Sequence, residues 1–184
     1  MGIAGAGMGS ELRKATAEDI AVMQAIELDA ARAYLASPDH AFCAALPSRD
    51  IAEHLTCLEK GASLLAMLDD KPSGFVLLRP VDGRAHILEA ATRLDCQGRG
   101  IGRSLLAAAE DWAAACGYAE MTLTTYRDVS WNAPFYQRLG FDFIDPGRDR
   151  PELMALIAEE HASGFARAAR AVMAKRSIGK AAGR

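Results

Sequence analysis

The chain has 184 residues, of which 51% are hydrophobic and 24% charged, and its formal net charge is −3. These values predict one globular domain with a full core, and they exclude a disordered chain and a general nucleic-acid binder. No apolar run approaches the roughly 18 residues of a membrane helix, and the cysteines form no C-x-x-C pair. We therefore expect a cytoplasmic protein with reduced thiols, no metal site and no membrane partner.

The first sixty residues predict one strand and two helices. Residues 1–9 are rich in Gly and Ala, and we expect a disordered leader there. A short first strand is expected over Glu11–Ala15, followed by Thr16 as the cap of a helix that runs to about Leu35. A second helix is expected over Ser48–Lys60, ended by the glycine that follows it.

Three strands with short connections come next, over Ser63–Leu68, Gly74–Val81 and Arg84–Thr92. A turn over residues 69–73 connects the first two strands. The pair Asp82-Gly83 is a signal for a two-residue hairpin between the second and third. This part of the chain therefore predicts a meander.

The second half predicts alternating helices and strands. The expected elements are a helix over Gly102–Cys116, a strand over Ala119–Thr125, a short helix over Trp131–Leu139 capped by Ser130, a strand over Phe141–Ile144 and a helix over Pro151–Ala162. The tail fits two predictions, a helix over Ala166–Lys175 or a final strand over Arg170–Ile178. A meander followed by strand-helix-strand predicts a mixed α/β domain over residues 10–178, with a disordered basic tail over 179–184.

The run from Gln97 to Ser104 is the strongest motif. Its glycines, Gly100 and Gly102 among them, lie between a predicted strand and a predicted helix. Such a turn exposes several backbone N–H groups, and the helix dipole adds roughly half a positive charge there. The run lacks the Gly-Lys-Ser/Thr of a P-loop, and the third glycine of a Rossmann fingerprint would fall on Arg103. It predicts a seat for a phosphate or pyrophosphate, with an unliganded tight turn as the alternative.

A second motif, Asn132–Phe141, ends in Tyr-x-x-Leu-Gly-Phe about thirty residues further on. Together with Gln-x-x-Gly-x-Gly, it resembles the GCN5-related N-acetyltransferases, or GNAT family, over roughly Ser10–Ile144. The resemblance implies a central, mostly antiparallel twisted sheet flanked by helices. It also favours the final strand at the tail, beside the sixth strand, and implies acetyl-CoA as the cofactor.

The resemblance also implies where coenzyme A binds. The expected cofactor-binding residues are Ala90, Ala91, Thr92, Leu94, Gln97, Gly98, Arg99, Gly100, Ile101, Gly102, Arg103, Ser104 and Asn132. Two positions depart from the family pattern. Thr92-Arg93-Leu94 stands where the family often has Val-x-Pro, and Val129 stands where it often has an asparagine. Asn132 is expected either to replace that asparagine or only to cap a helix.

Two residues are the implied catalytic candidates. Glu89 would act as general base, directly or through water, and its apolar sequence neighbours would raise its pKa. The alternative is a structural carboxylate held by an arginine or at the sheet surface. Tyr136 would donate a proton to the coenzyme sulfur, with a packing aromatic as the alternative. Trp131 and Tyr126 either line the acceptor pocket or pack in the core.

The predicted function is transfer of an acetyl group from acetyl-CoA to a primary amine of a small molecule or peptide by direct attack. The alternatives are a non-catalytic acyl-CoA-binding or regulatory module and, more remotely, an interaction protein with no cofactor. Six basic residues and no acids follow Ser163, which leaves 15 basic and 24 acidic residues in the rest of the chain. This acidic body favours a cationic acceptor. A homodimer is left open, and no nucleic-acid partner is expected.

Overall fold

The computed structural model describes residues 10–163, 170–176 and 178. The predicted leader over residues 1–9 and the predicted tail over 179–184 lie outside the described residues. Within the described part of the chain, no helix combines the length and the apolar character needed to cross a membrane.

Seven strands form one sheet in the order β1-β2-β3-β4-β5-β7-β6. The strands are β1 (Ser10–Lys14), β2 (Ala62–Leu68), β3 (Lys71–Val81), β4 (Arg84–Thr92), β5 (Glu120–Tyr126), β6 (Asp142–Ile144) and β7 (Arg170–Arg176). The α-helices among the described residues are α1 (Ile20–Ala31), α2 (Ile51–Lys60), α3 (Ile101–Ala115), α4 (Ala133–Gln137) and α5 (Pro151–Ala162). Strand β4 pairs in parallel with β5, whereas the β1–β2, β2–β3, β5–β7 and β6–β7 pairs are antiparallel. The predicted mixed α/β fold is confirmed.

The tail forms a strand over the residues that the structure describes there. Strand β7 pairs with β6, as predicted, and it also pairs with β5, so that Met173 faces both Leu123 and Phe143. The helical alternative for these residues is wrong, because antiparallel pairing on both sides satisfies their backbone groups.

The structure divides into two compact units. Among the described residues, the first unit holds residues 10–79 together with Glu89–Ala109, and the second holds Pro80–Leu88 together with those from Glu110 onward. Fully buried apolar side chains form the core of each. They include Leu65, Phe75 and Leu77 in the first unit and Met121, Phe141 and Met173 in the second. The extent of a single domain over residues 10–178 stays a prediction.

The bounds of the first two helices were predicted wrongly. The first helix is not continuous to Leu35, because 3₁₀ turns over Ala17–Asp19 and Arg32–Ala36 flank α1. The extended residue before Pro38 ends the second of these turns. Helix α2 begins later than predicted, because the Asp50 side chain accepts a hydrogen bond from the Ala52 N–H at 2.7 Å and so caps its start.

The β2–β3 connection and the start of α4 also differ from expectation. Asp69 and Asp70 have positive φ angles of 49° and 60°, so they alone make the turn and β3 begins before Gly74. Helix α4 is shorter than predicted, and Asn132 rather than Ser130 precedes it. A proline in its first turn favours that start.

Candidate active site

The glycine run forms an open turn directly before α3. Gly98 and Gly100 have positive φ angles of 76° and 83°, and a Cβ added at either position would have no heavy atom within 4 Å. Helix α3 begins at Ile101, and its first N–H groups have no partner within the helix. The turn is therefore an open cradle of backbone donors, which fits a pyrophosphate group.

Some side chains of this loop fix it, and others supply positive charge. The Gln97 amide donates to the Thr92 carbonyl oxygen at 3.3 Å, and the Ile101 side chain is 1% exposed. Arg99 and Arg103 are exposed, and no hydrogen bond or ion pair joins either to another residue that the structure describes. Both guanidinium groups are therefore available to an anionic ligand.

The segment of β4 predicted to hold the cofactor lies outside the ladder between β4 and β5. That ladder joins Ala85–Ile87 to Met121–Leu123 and has no further pair among the described residues. Ala90 and Thr92 are half-buried, and Ala91 is buried. A backbone edge outside a ladder still has hydrogen-bonding groups that a strand-like ligand can pair with.

Two contacts that the sequence did not predict fix the end of β4. The Leu94 N–H donates to Asp29 Oδ2 at 2.9 Å, which ties α1 to this strand end. Gly74 on β3 packs so closely that an added Cβ would lie 2.9 Å from the Ala91 carbonyl oxygen and 3.0 Å from Ile101 Cγ2. The Leu94 N–H is therefore engaged by the protein, and a role for Leu94 in cofactor binding stays a prediction.

Glu89 belongs to a group of three carboxylates around Arg49, which we name the carboxylate cluster: Glu27, Glu53 and Glu89. Arg49 Nε lies 3.2 Å from Glu89 Oε2, and Arg49 Nη1 lies 3.2 Å from Glu53 Oε1. The backbone N–H of Arg49 donates to both carboxylate oxygens of Glu27, at 3.2 and 3.1 Å. An arginine therefore holds Glu89, as one of the two sequence-based alternatives expects, and its role as a base stays a prediction.

The carboxylate cluster contains a group that titrates near neutral pH. Burial and then the charge of Glu89 raise the pKa of the Glu27 carboxyl to about 8, against the opposing effect of Arg49. Burial also lowers the pKa of the neighbouring His54, whose two ring nitrogens have no partner among the described residues.

No group of three or more His, Cys, Asp or Glu residues in the described ranges could hold a metal ion.

Sequence reasoning missed Glu27 and Arg49, although one signal for them was present. Gln24 and Glu27 are three residues apart on α1, so they lie on the same helix face. Both bind the backbone of Arg49, because the Gln24 amide donates to its carbonyl oxygen at 2.8 Å. The polar pair on one face of α1 was therefore the sequence signal for the contact between α1 and the segment before α2.

Tyr136 and Asn132, the remaining candidates, belong to the second unit. Tyr136 is half-buried, and its ring packs edge-on against Phe135 and Phe141, with centroid distances of 5.3 and 5.8 Å. The Asn132 carbonyl oxygen accepts hydrogen bonds from the N–H groups of Phe135 and Tyr136. The tyrosine ring is therefore held in one orientation. The catalytic role of Tyr136 and the cofactor role of Asn132 stay predictions.

The other two aromatic candidates differ in exposure. Tyr126 is 1% exposed, and the Arg170 guanidinium carbon lies 5.1 Å from its ring centroid, so Tyr126 is a core residue. Trp131 is 41% exposed, and its predicted pocket role is untested.

A family model described as the acetyltransferase (GNAT) family matches residues 22–141. The chain therefore belongs to the GNAT acetyltransferase family, and the resemblance found in the sequence is confirmed. Members of this family use acetyl-CoA, so the predicted cofactor is confirmed at the level of the family.

Several solved structures have a similar fold. The PaiA N-acetyltransferase of Thermoplasma acidophilum, solved with coenzyme A, has a TM-score of 0.67 and 19% identity, covering 92% of this chain and 99% of its own. The ribosomal-protein-S18-alanine N-acetyltransferase of Escherichia coli has a TM-score of 0.66 and 18% identity, covering 95% and 98%. Naa50 of Arabidopsis thaliana, in complex with the bisubstrate analogue CoA-Ac-MVNAL, has a TM-score of 0.64 and 14% identity, covering 91% and 99%. At these identities the likeness shows the fold.

Proposed function

We propose that this protein is an acetyl-CoA-dependent N-acetyltransferase that acts on a primary amine of a small molecule or peptide. One observation carries the proposal. The first unit brings together the open glycine turn, the segment of β4 outside the ladder and the carboxylate cluster. Acetyl transfer requires an anion-binding site, a backbone edge and a charged acid–base group.

The glycine turn and β4 would hold the cofactor. Backbone N–H groups over 99–103 and the guanidinium groups of Arg99 and Arg103 would bind its phosphates. The backbone of Ala90–Thr92 would pair with the amides of the pantetheine arm. The bound cofactor supplies an acetyl group activated as a thioester.

The carboxylate cluster would receive the acceptor. Three carboxylates bind one arginine there, two through its guanidinium and Glu27 through its backbone N–H, so the cluster favours a cationic amine. An alkyl ammonium has a pKa near 10 and must lose a proton before its nitrogen can attack. We assign that proton to the cluster, with Glu89 as the residue named by the family resemblance, acting directly or through water. Tyr136, on the evidence of its motif, is proposed to protonate the leaving sulfur.

The test measures thiol release from acetyl-CoA with a panel of primary amines, alongside calorimetry with coenzyme A. Coenzyme A binding with amine-dependent thiol release supports the enzyme. Binding without release from any amine would favour the non-catalytic acyl-CoA-binding module. Absence of binding would overturn the cofactor assignment for this chain and leave an interaction protein as the remaining reading.

We further propose a cytoplasmic location and no nucleic-acid partner. The proposal rests on four cysteines that form no disulfide with one another, three of them buried, and on the acidic body of the chain. A homodimer stays open, and sedimentation of the purified protein would determine its oligomeric state.

A further inference from the structure

Resting on the acetyltransferase function proposed above, we propose that Glu27, rather than Glu89, takes the proton from the acceptor amine. Glu89 then acts as a positioning residue, a fixed negative charge that makes Glu27 a stronger base.

The three carboxylates of the cluster have different hydrogen-bond donors. Glu89 and Glu53 each accept a hydrogen bond from the Arg49 guanidinium. Glu27 accepts only from the Arg49 backbone N–H, and no other hydrogen bond or ion pair of Glu27 exists within the described residues. Glu27 is therefore the carboxylate whose hydrogen-bonding donor is neutral, and the guanidinium does not occupy its oxygens.

Two contacts also connect the part of α1 that holds Glu27 to the strand predicted to hold the thioester. Asp29, two residues further along α1, binds the Leu94 N–H at the end of β4. Arg49 donates to Glu27 through its backbone N–H and to Glu89, which lies on β4, through its side chain. Glu27 therefore lies on the part of α1 that is linked to β4 both before and after the segment Ala90–Thr92.

The electrostatics fit a base that works near neutral pH. The charged groups that act on Glu27 are Glu89 and Glu53, which raise its pKa, and Arg49, which lowers it. His54 adds no competing charge near neutral pH, because burial lowers its pKa. Burial is the largest effect on Glu27, and the resulting pKa of about 8 suits a general base.

The proposed step is a single proton transfer. An N–H bond of the bound ammonium breaks, the proton moves to a Glu27 carboxylate oxygen, and the electron pair stays on nitrogen. The amine becomes neutral and Glu27 becomes a neutral carboxylic acid, so charge and atoms balance.

The test is a pH–rate profile of kcat/KM on an amine from the panel with a pKa near 10. The wild-type profile should rise near pH 8 as Glu27 ionises. Glu27→Gln should lose roughly 10²–10⁴-fold just above about pH 8, and its profile should lack the limb near pH 8 and rise only towards about pH 10, where the neutral amine becomes abundant. Glu89→Gln should keep that limb and move it to lower pH, because a neighbouring negative charge is gone. Glu59→Gln, on an exposed residue of α2, is the control and should match the wild type.

A second measurement does not depend on turnover. NMR of glutamate labelled at the carboxyl carbon should show one resonance titrating near pH 8, absent from Glu27→Gln and shifted to lower pH in Glu89→Gln. A wild-type profile in Glu27→Gln, or loss of the limb near pH 8 in Glu89→Gln alone, would overturn the role of Glu27 and leave the enzyme. Failure of the wild type to turn over any amine would instead overturn the proposed function and this role with it.

Discussion

Two ion-pair clusters, one in each unit, have opposite compositions. In the carboxylate cluster of the first unit, one arginine is shared by three carboxylates. In the second unit, which has its own arginine cluster, one carboxylate is shared by three guanidinium groups. Arg84, Arg150 and Arg176 lie 3.1, 2.7 and 3.0 Å from the oxygens of Glu120.

This difference indicates a structural role for the arginine cluster and a role in the proposed proton transfer for the carboxylate cluster. The Glu120 side chain is 12% exposed and that of Arg150 is 7% exposed, so this pair is almost fully withdrawn from solvent. Arg84 begins β4, Arg176 ends β7 and Arg150 precedes α5, so Glu120 joins three elements to β5. In the carboxylate cluster, by contrast, Glu27 has no guanidinium donor within the described part of the chain. The arginine cluster stabilises the fold, whereas the carboxylate cluster leaves Glu27 to react.

Glu120→Gln should show the largest effect on stability. It removes the charge that three arginines share and should lower the free energy of unfolding by roughly 3–5 kcal/mol, because the buried Arg150 guanidinium loses its partner. Urea unfolding measures the change, with Glu59→Gln as a surface control expected within about 0.5 kcal/mol of the wild type. A loss below about 1 kcal/mol, the range of exposed pairs, would show that the arginine cluster is not structural.

Gly100→Leu compares a positive-φ glycine in the first unit with one in the second. Gly83, in the β3–β4 turn, has a φ of 69° and equally open surroundings, so Gly83→Leu is a matched control. Both variants should lose about 1–2 kcal/mol of stability from the strained backbone. Only Gly100→Leu should weaken coenzyme A binding, by roughly 100-fold if two charge-assisted hydrogen bonds are lost. Calorimetry measures the affinity of each variant for coenzyme A. Equal affinities in the two variants would show that the loop is not part of the cofactor site.

Tyr136→Phe tests whether the second unit contributes chemistry as well as structure. The ring and its packing against Phe135 and Phe141 are kept, while the phenol donor is removed. We expect kcat to fall by about 10²-fold, the lower end for general acid catalysis, because a thiolate is already a tolerable leaving group. Tyr118→Phe, which keeps the contact with Trp112, is the control and should retain full activity. An unchanged kcat for Tyr136→Phe, with chemistry rate-limiting, would make Tyr136 a packing residue.

Local signals predicted most of the fold, and long-range contacts account for most of what was missed. The Asp82-Gly83 hairpin and the glycine turn before α3 are set by neighbouring residues, and both were predicted from the sequence. The end of the first helix was missed, because its last turn becomes 3₁₀ before an extended residue and a proline. In the site, Glu89 was predicted from its place in a motif. Glu27 and Arg49 are 22 residues apart in sequence and carry no motif, so only folding brings them together.

Glu27→Gln and Glu120→Gln should change the free energy of unfolding in opposite directions. The Glu27 carboxyl has an ordinary pKa of 4.5, which we take for the unfolded chain, and about 8 in the folded protein. Between these pH values the folded protein keeps a proton that the unfolded chain has lost. The free energy of unfolding therefore falls as the pH rises from about 4.5 to about 8. Glu27→Gln removes this linkage but keeps an oxygen that accepts the Arg49 N–H.

The variant should match the wild type near pH 4.5 and exceed its stability by roughly 1–2 kcal/mol at pH 8, after allowance for solvent screening. Removal of a carboxylate would thus stabilise the first unit and, at Glu120, destabilise the second. Denaturant unfolding at several pH values between 4.5 and 8 measures the trend, and Glu59→Gln should run parallel to the wild type throughout. Equal stability of Glu27→Gln and the wild type across this range would mean that Glu27 ionises like an ordinary surface glutamate. The proposed contrast between the arginine cluster and the carboxylate cluster would then be wrong.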